Sequence, residues 1–198
     1  MFEECDVSIG QRVTGYVYKV DNEWASLTIS RHLKAQLFIL DSACEPSELQ
    51  QFQRRFHIGK AVTGHVLSIN KEKKLLRLVL QPFQDGISDK TVDISNDNMQ
   101  TFIHEGDIVG GRISKVLSGV GGLVVQIGPH LYGRVHFTEL KNICVSDPLS
   151  GYHEGQFVKC KVLEISRTVR GTLHVELSLR SSLDGMSSTN SSDLSTDV

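Results

Sequence analysis

The chain has 198 residues, 21 basic against 23 acidic, and a formal net charge of -2. This length holds one large domain or two small ones, and an apolar fraction of 39% is enough to build a core. No run approaches the ~18 to 20 apolar residues of a membrane span. The acidic start Met1–Asp6 lacks the features of a signal peptide, and Cys5, Cys44, Cys144 and Cys160 form no CxxC pair, which argues against a structural zinc site or a disulfide scaffold and for a reducing compartment.

Taken in chain order, the pattern is that of strands. Val13/Gly15/Val17, Val62/Gly64/Val66 and Leu76/Leu78/Leu80 alternate with polar or amphipathic neighbours, the period of a half-buried strand. The expected strands of this first part are 11–20, 24–30, 33–40, 60–69 and 74–81. Between the third and fourth, Leu49, Phe52 and Phe56 fall on one helical face behind Pro46. Residues 83–103 hold clusters such as Gln84-Asp85-Gly86 and Asp93-Ile94-Ser95-Asn96, and read as an acidic linker. Strands are expected again at 107–116, 122–127, 131–138, 156–165 and 171–180. Asp147-Pro148 offers a cap for a shorter helical turn ending near Tyr152. The tail 182–198 is rich in Ser, Thr and Asp, and its composition predicts disorder.

The two parts are copies. Ile9-Gly10-Gln11-Arg12-Val13-Thr14-Gly15 corresponds to Glu105-Gly106-Asp107-Ile108-Val109-Gly110-Gly111, 96 positions later. Ile58-Gly59-Lys60-Ala61-Val62 corresponds to Glu154-Gly155-Gln156-Phe157-Val158 at the same offset. Domains are therefore expected at 8–82 and 104–181. Five short strands with a helix after the third is the order of an OB-fold, so the expectation is an all-β chain with short helices: two tandem five-stranded barrels joined by a linker.

The near-neutral net charge conceals segregation. Residues 31–80 hold nine basic and four acidic side chains (net +5), and residues 108–180 hold nine and five (net +4). The segments 1–30, 81–107 and 181–198 are acidic, at net -3, -5 and -3. The overall charge therefore does not exclude nucleic acid.

Gly10-Gln11-Arg12-Val13-Thr14-Gly15-Tyr16-Val17 resembles the first-strand pattern Gly-x-x-Val-x-Gly-x-Val of S1-type RNA-binding domains. Gly133-Arg134-Val135-His136-Phe137-Thr138-Glu139-Leu140 is similar to that family's Gly-Leu-x-His-x-Ser-Glu-Leu, and Leu177-Ser178 to its closing Leu-Ser. The likeness covers both copies. It is closest to the many-repeat S1 scaffolds of eukaryotic ribosomal RNA processing, which implies a nucleolar or nuclear location and RNA as partner, pre-ribosomal RNA in particular, alongside ribosome-assembly proteins.

An OB-fold binds single strands by stacking bases on exposed rings beside a basic groove. Alternation leaves Arg134 and His136 outward, with Tyr132 on the same strand. In the first copy it leaves Gln36 and Phe38 outward, so Phe38 stands where the family's stacking His stands. Phe38 has two readings, an exposed platform ring or a contact with the neighbouring repeat. The family's two second-strand phenylalanines become Val120 and Leu123 in the second copy, and Glu23 and Ser26 in the first. Trp24 lies next to Glu23 and is either a stacking ring or a partly buried barrel residue. Asn70 and Ser166 replace the family's Asp after the fourth strand. Arg77 keeps its Arg at the fifth, where the second copy has His174 with Arg170 nearby. Lys159 and Lys161 share a strand face and form a candidate basic patch.

The histidines show no HxxH or HExxH spacing, no P-loop glycine pattern opens a helix, and no nucleophile and base stand in a recognisable context. Neither a metal, a cofactor, a small-molecule substrate nor catalysis is expected. Two other readings compete with RNA binding by the module itself. One is a set of protein-interaction repeats, motivated by the missing phenylalanines. The other is an RNA-binding appendage of a nuclease or translation factor.

Overall fold

The computed structural model describes residues 7–80, 103–141 and 146–180. The expected linker (except Ile103) and the expected tail lie outside the described residues. The first copy forms β1 (Arg12–Val20), β2 (Trp24–Thr28), β3 (Lys34–Phe38), β4 (Ala61–Asn70) and β5 (Leu75–Val79). The second forms β6 (Ile108–Leu117), β7 (Gly122–Gly128), β8 (Leu131–Val135), β9 (Phe157–Arg167) and β10 (Leu173–Ser178). Each set closes into a barrel, in the orders β1-β2-β3-β5-β4 and β6-β7-β8-β10-β9. Closure is made by parallel pairs, β3 with β5 and β8 with β10, while the other pairs are antiparallel.

Alternation decides what fills each barrel. Val17, Ala25, Leu27, Ala35, Leu37, Val66, Leu76 and Leu78 are buried in the first; Ile113, Leu123, Val125, Val135, Val162, Val175 and Leu177 are buried in the second. Burying one Leu side chain fully contributes about 1.5–3 kcal/mol. The register of β1 shifts between Val17 and Lys19, and that of β6 between Ile113 and Lys115. These are equivalent positions of the repeat, and a bulge there bends the strand around its barrel. At the start of β7, Gly122 has φ +80°, and any Cβ would overlap the Val135 carbonyl. Only glycine lets β7 approach β8 this closely.

The third strand of each copy ends earlier than expected. β3 passes at Phe38 into a 3-10 turn, Ile39–Asp41, held by the Ser42 hydroxyl donating to the Ile39 carbonyl at 2.6 Å. β8 ends at Val135 and is followed by a 3-10 turn, Phe137–Glu139. The expected helix of the first copy is split at Gln51 into α1 (Pro46–Gln50) and α2 (Phe52–Arg55), and Leu49, Phe52 and Phe56 are buried together as its apolar face predicts. In the second copy residues 148–151 form only turns. The run is too short to offset helix nucleation, although Leu149 and Tyr152 still pack against the barrel core.

The two barrels touch. The turn Ile39–Asp41 packs against β6 and β7, and α1 packs against β9. Phe157, on the outer side of β9, packs against the first barrel's apolar cluster. Arg112 Nη2 lies 2.8 Å from Glu23 Oε1, and Lys159 Nζ lies 2.5 Å from Glu45 Oε1. Gly110 sits between these pairs. A Cβ there would lie 2.5 Å from the Ala43 carbonyl oxygen and 3.1 Å from Leu49 Cδ1. The outer face of β6 and β9 is thus seated on the turn-and-helix end of the first barrel.

Candidate nucleic-acid interface

In the first barrel, Trp24 and Phe38 oppose each other across β2 and β3, with ring centroids 4.9 Å apart. Both have outward parity, yet Phe38 is only 1% exposed. The expected platform ring is therefore corrected. Phe38 stands where β3 turns under cover, beside Trp24 and ahead of the buried Ile39 and Leu40. Trp24 is half-buried against the core, matching the second of its two readings. Arg77 donates from Nε and Nη2 to Asp41 Oδ2, at 3.2 and 2.7 Å. Burial pushes the Asp41 carboxyl above its ordinary value and the Arg77 guanidinium opposes this, so Arg77 is committed to a partner inside its own barrel. Asn70 is exposed, and its Oδ1 accepts from the Lys73 amide at 3.0 Å. It closes the solvated hairpin Lys71–Lys74.

In the second barrel, Tyr132, Arg134 and His136 are all exposed, at alternate positions along and just beyond β8. Arg134 is one of a row that runs across four strands: Lys115 on β6, Val124 on β7, Arg134 on β8 and Glu176 on β10. Arg134 Nη2 donates to the Gly121 carbonyl at 3.1 Å, which props the guanidinium at the edge of the β6–β7 turn. His136 Nδ1 accepts from the Thr138 amide at 3.2 Å and meets the Thr138 hydroxyl at 2.8 Å. In the neutral ring the proton then resides on Nε2, so an N–H donor is turned away from the turn that positions it.

The remaining expected residues separate. Leu123 is fully buried, so it is a core residue and not a platform position; its parity with Val125 and Ile127 turns it inward. Lys159 is held across the barrel contact by Glu45, which raises its pKa above the ordinary lysine value first through the hydrogen bond and then through charge. His174 Nε2 lies 2.7 Å from Glu176 Oε1. Lys161 and Arg170 are exposed and enter no ion pair among the described residues.

Three residues of the first barrel were missed. Tyr16 and Tyr18 on β1 are 54% and 44% exposed, and Lys34 Nζ on β3 stands 5.1 Å from the Tyr18 ring centroid. The signal was present, since the alternation that turns Val13, Gly15 and Val17 inward turns Tyr16 and Tyr18 outward.

A model described as the S1 RNA binding domain matches residues 103–174, from just before β6 into β10. The second barrel belongs to the S1 RNA-binding domain family. Across this S1 barrel and its companion, the chain is 57% identical over 197 residues to the rRNA biogenesis protein RRP5 of Arabidopsis thaliana, covering 94% of this chain and 10% of that one. It is 27% identical over 198 residues to rrp5 of Schizosaccharomyces pombe, covering 98% and 11%. The chain therefore spans about a tenth of the length of these relatives. Among solved structures, the a/eIF2alpha-aDim2p-rRNA complex of Pyrococcus horikoshii aligns with 40% of this chain and 46% of that one, at 24% identity and a TM-score of 0.35. In this S1 barrel His136 is exposed and oriented by Thr138, while the first barrel has the buried Phe38 at the corresponding position.

Proposed function

We propose that this chain is an RNA-binding segment of a ribosome-biogenesis protein, acting on single-stranded or looped pre-ribosomal RNA in the nucleolus or nucleus. The observation that carries the reading is the outward row Tyr132, Arg134 and His136 on the S1 barrel. A ring stacked on a base contributes about 1–3 kcal/mol, and Arg134 places a cation beside two such rings. The long identity to RRP5 of Arabidopsis supports the ribosome-biogenesis part. The row offers stacking and charge, and this reading needs no catalytic step. The test is a titration of the full chain with labelled single-stranded RNA at low and moderate salt, beside an Arg134→Ala/His136→Ala variant. Binding that weakens as salt rises, and weakens again in the variant, supports the proposal; absence of binding at low salt overturns it.

A second reading, protein-interaction repeats with little RNA binding of their own, is favoured by two observations. Leu123 is buried where the family carries a platform ring, and Glu176 sets a carboxylate in the row of Arg134. Pull-down from nuclease-treated extract separates the two, because ribosome-assembly partners that vanish with the RNA count against it.

A further inference from the structure

The five strands of the first barrel contain Arg12, Lys19, Lys34 and Arg77 and not one Asp or Glu. The S1 barrel's strands carry Glu164 and Glu176. Asp41 from the 3-10 turn engages Arg77, and Asp21 in the β1–β2 turn feels the charge of Lys19. Arg12 and Lys34 enter no ion pair among the described residues. On this cationic face stand Tyr16 and Tyr18, about 7 Å apart along one strand. The cross-strand neighbours of Tyr16 are Ala61 on β4 and Thr28 on β2. These side chains are too short to cover a ring, and Tyr16 remains more than half exposed with the second barrel in place.

The repeat shows that this face does not serve barrel docking. The S1 barrel docks through Gly110, Arg112, Phe157 and Lys159. At the same offset the first barrel has Thr14, Tyr16, Ala61 and Thr63. Thr14 carries the Cβ that Gly110 must lack, and neither the packing ring of Phe157 nor the cations of Arg112 and Lys159 are retained. Thr14 and Thr63 bond each other through their hydroxyls at 2.8 Å. The equivalent surface has lost its docking groups and gained two tyrosines beside unopposed cations.

We infer that the β1 face of the first barrel is a second nucleic-acid site, in which Tyr16 and Tyr18 stack two bases of a single-stranded RNA and Lys34 and Arg12 hold the neighbouring phosphates. The inference rests on the RNA-binding reading and adds a site separate from the row on β8. Lys34 is already seated at the Tyr18 ring, so stacked base and phosphate would be met by adjacent groups.

The experiment is fluorescence anisotropy of the full chain with a labelled single-stranded RNA 20-mer across a salt series. Tyr16→Ser/Tyr18→Ser should weaken binding by roughly 30-fold, taking the low end of stacking strength for two bases, and leave the salt slope unchanged. Tyr16→Phe/Tyr18→Phe should restore it, because a phenyl ring stacks without the hydroxyl. Lys34→Gln should lower the slope of log K against log salt by about 0.7, the loss of one single-strand phosphate contact. Thermal melts establish that the variants are folded; if the serine variant melts early, Lys34→Gln and the phenylalanine variant decide. Wild-type binding with unchanged affinity in the serine variant and an unchanged slope in Lys34→Gln overturns this site and leaves the β8 row standing. No wild-type binding at low salt overturns both. Displacement of the RNA by an acidic peptide, with tyrosine variants that bind the peptide less but the RNA equally, assigns the face to a protein and also overturns the inference.

Discussion

Gly110 and Gly111 are adjacent on β6, so their missing side chains would point to opposite faces. This makes them a paired test of how the barrels are joined. In Gly110→Ala the new Cβ would lie 2.5 Å from the Ala43 carbonyl oxygen. A tolerable carbon–oxygen separation is about 3.3 Å, so the barrels must retreat by about 0.8 Å. A gap of that size forfeits a quarter to a half of the contact energy around it, and overpacking of this kind typically costs about 1–3 kcal/mol. The cost falls at the contact and spares the S1 barrel's own core, because the Cβ meets Ala43 and Leu49 of the first barrel. The docked population should fall by roughly 5- to 150-fold relative to the undocked one. In Gly111→Ala the Cβ would meet Val125 Cγ1 at 2.5 Å and Cys160 Sγ at 3.3 Å, inside the S1 barrel. There the same cost should lower that barrel's melting temperature. Small-angle scattering should report a larger radius of gyration for Gly110→Ala with both barrels folded. Trp24 fluorescence should shift too, since its neighbour Glu23 is the partner of Arg112. Unchanged scattering and emission in Gly110→Ala, or unfolding of the S1 barrel by Gly110→Ala as severe as by Gly111→Ala, would refute the seating described above.

The cross-barrel ion pair can be reversed. Lys159→Glu should loosen docking by at most about 1 kcal/mol, the range for exposed pairs, and adding Glu45→Lys should restore it in the same scattering assay at low salt. Cys160 is buried and its thiol is pushed up to about 12 by desolvation. Native-state alkylation followed by mass spectrometry should therefore leave Cys160 unmodified near neutral pH, with labelling only in denaturant; modification in the folded chain would contradict its core position.

The strands were legible because a barrel needs one parity inward, and Val13/Gly15/Val17 or Leu173/Val175/Leu177 state that parity plainly. Phe38 shows where the rule stops. Alternation assigned it the outer side correctly, but the outer side is exposed only when nothing lies on it, and a turn that packs against residues seventy positions later leaves no local trace. Leu123 was misplaced for the opposite reason: matching by family position overrode an alternation that already turned it inward. Tyr16 and Tyr18 were legible from the same alternation, which turns Val13, Gly15 and Val17 inward and these two rings outward. The partnership of Arg112 with Glu23, 89 residues apart, has no counterpart in spacing or composition. The same holds for Gly110, whose reason for being glycine lies in the other barrel. The second copy's Asp147-Pro148 met the capping rule, yet a single turn gains too few hydrogen bonds to repay nucleation.

The contact between the barrels joins the packing of the turn Ile39–Asp41 and of α1 with two ion pairs, one half-buried ring and a glycine that permits close approach. Here residues 80–107 join β5 to β6 covalently, so each barrel meets the other at a fixed effective concentration, of millimolar order for a short tether. At that concentration the contact is closed half the time when its own association free energy is only about 4 kcal/mol, a Kd near 1 mM. Small changes in salt or charge at Glu23 and Glu45 can therefore set the fraction of molecules in which the barrels act as one body, without touching the stability of either.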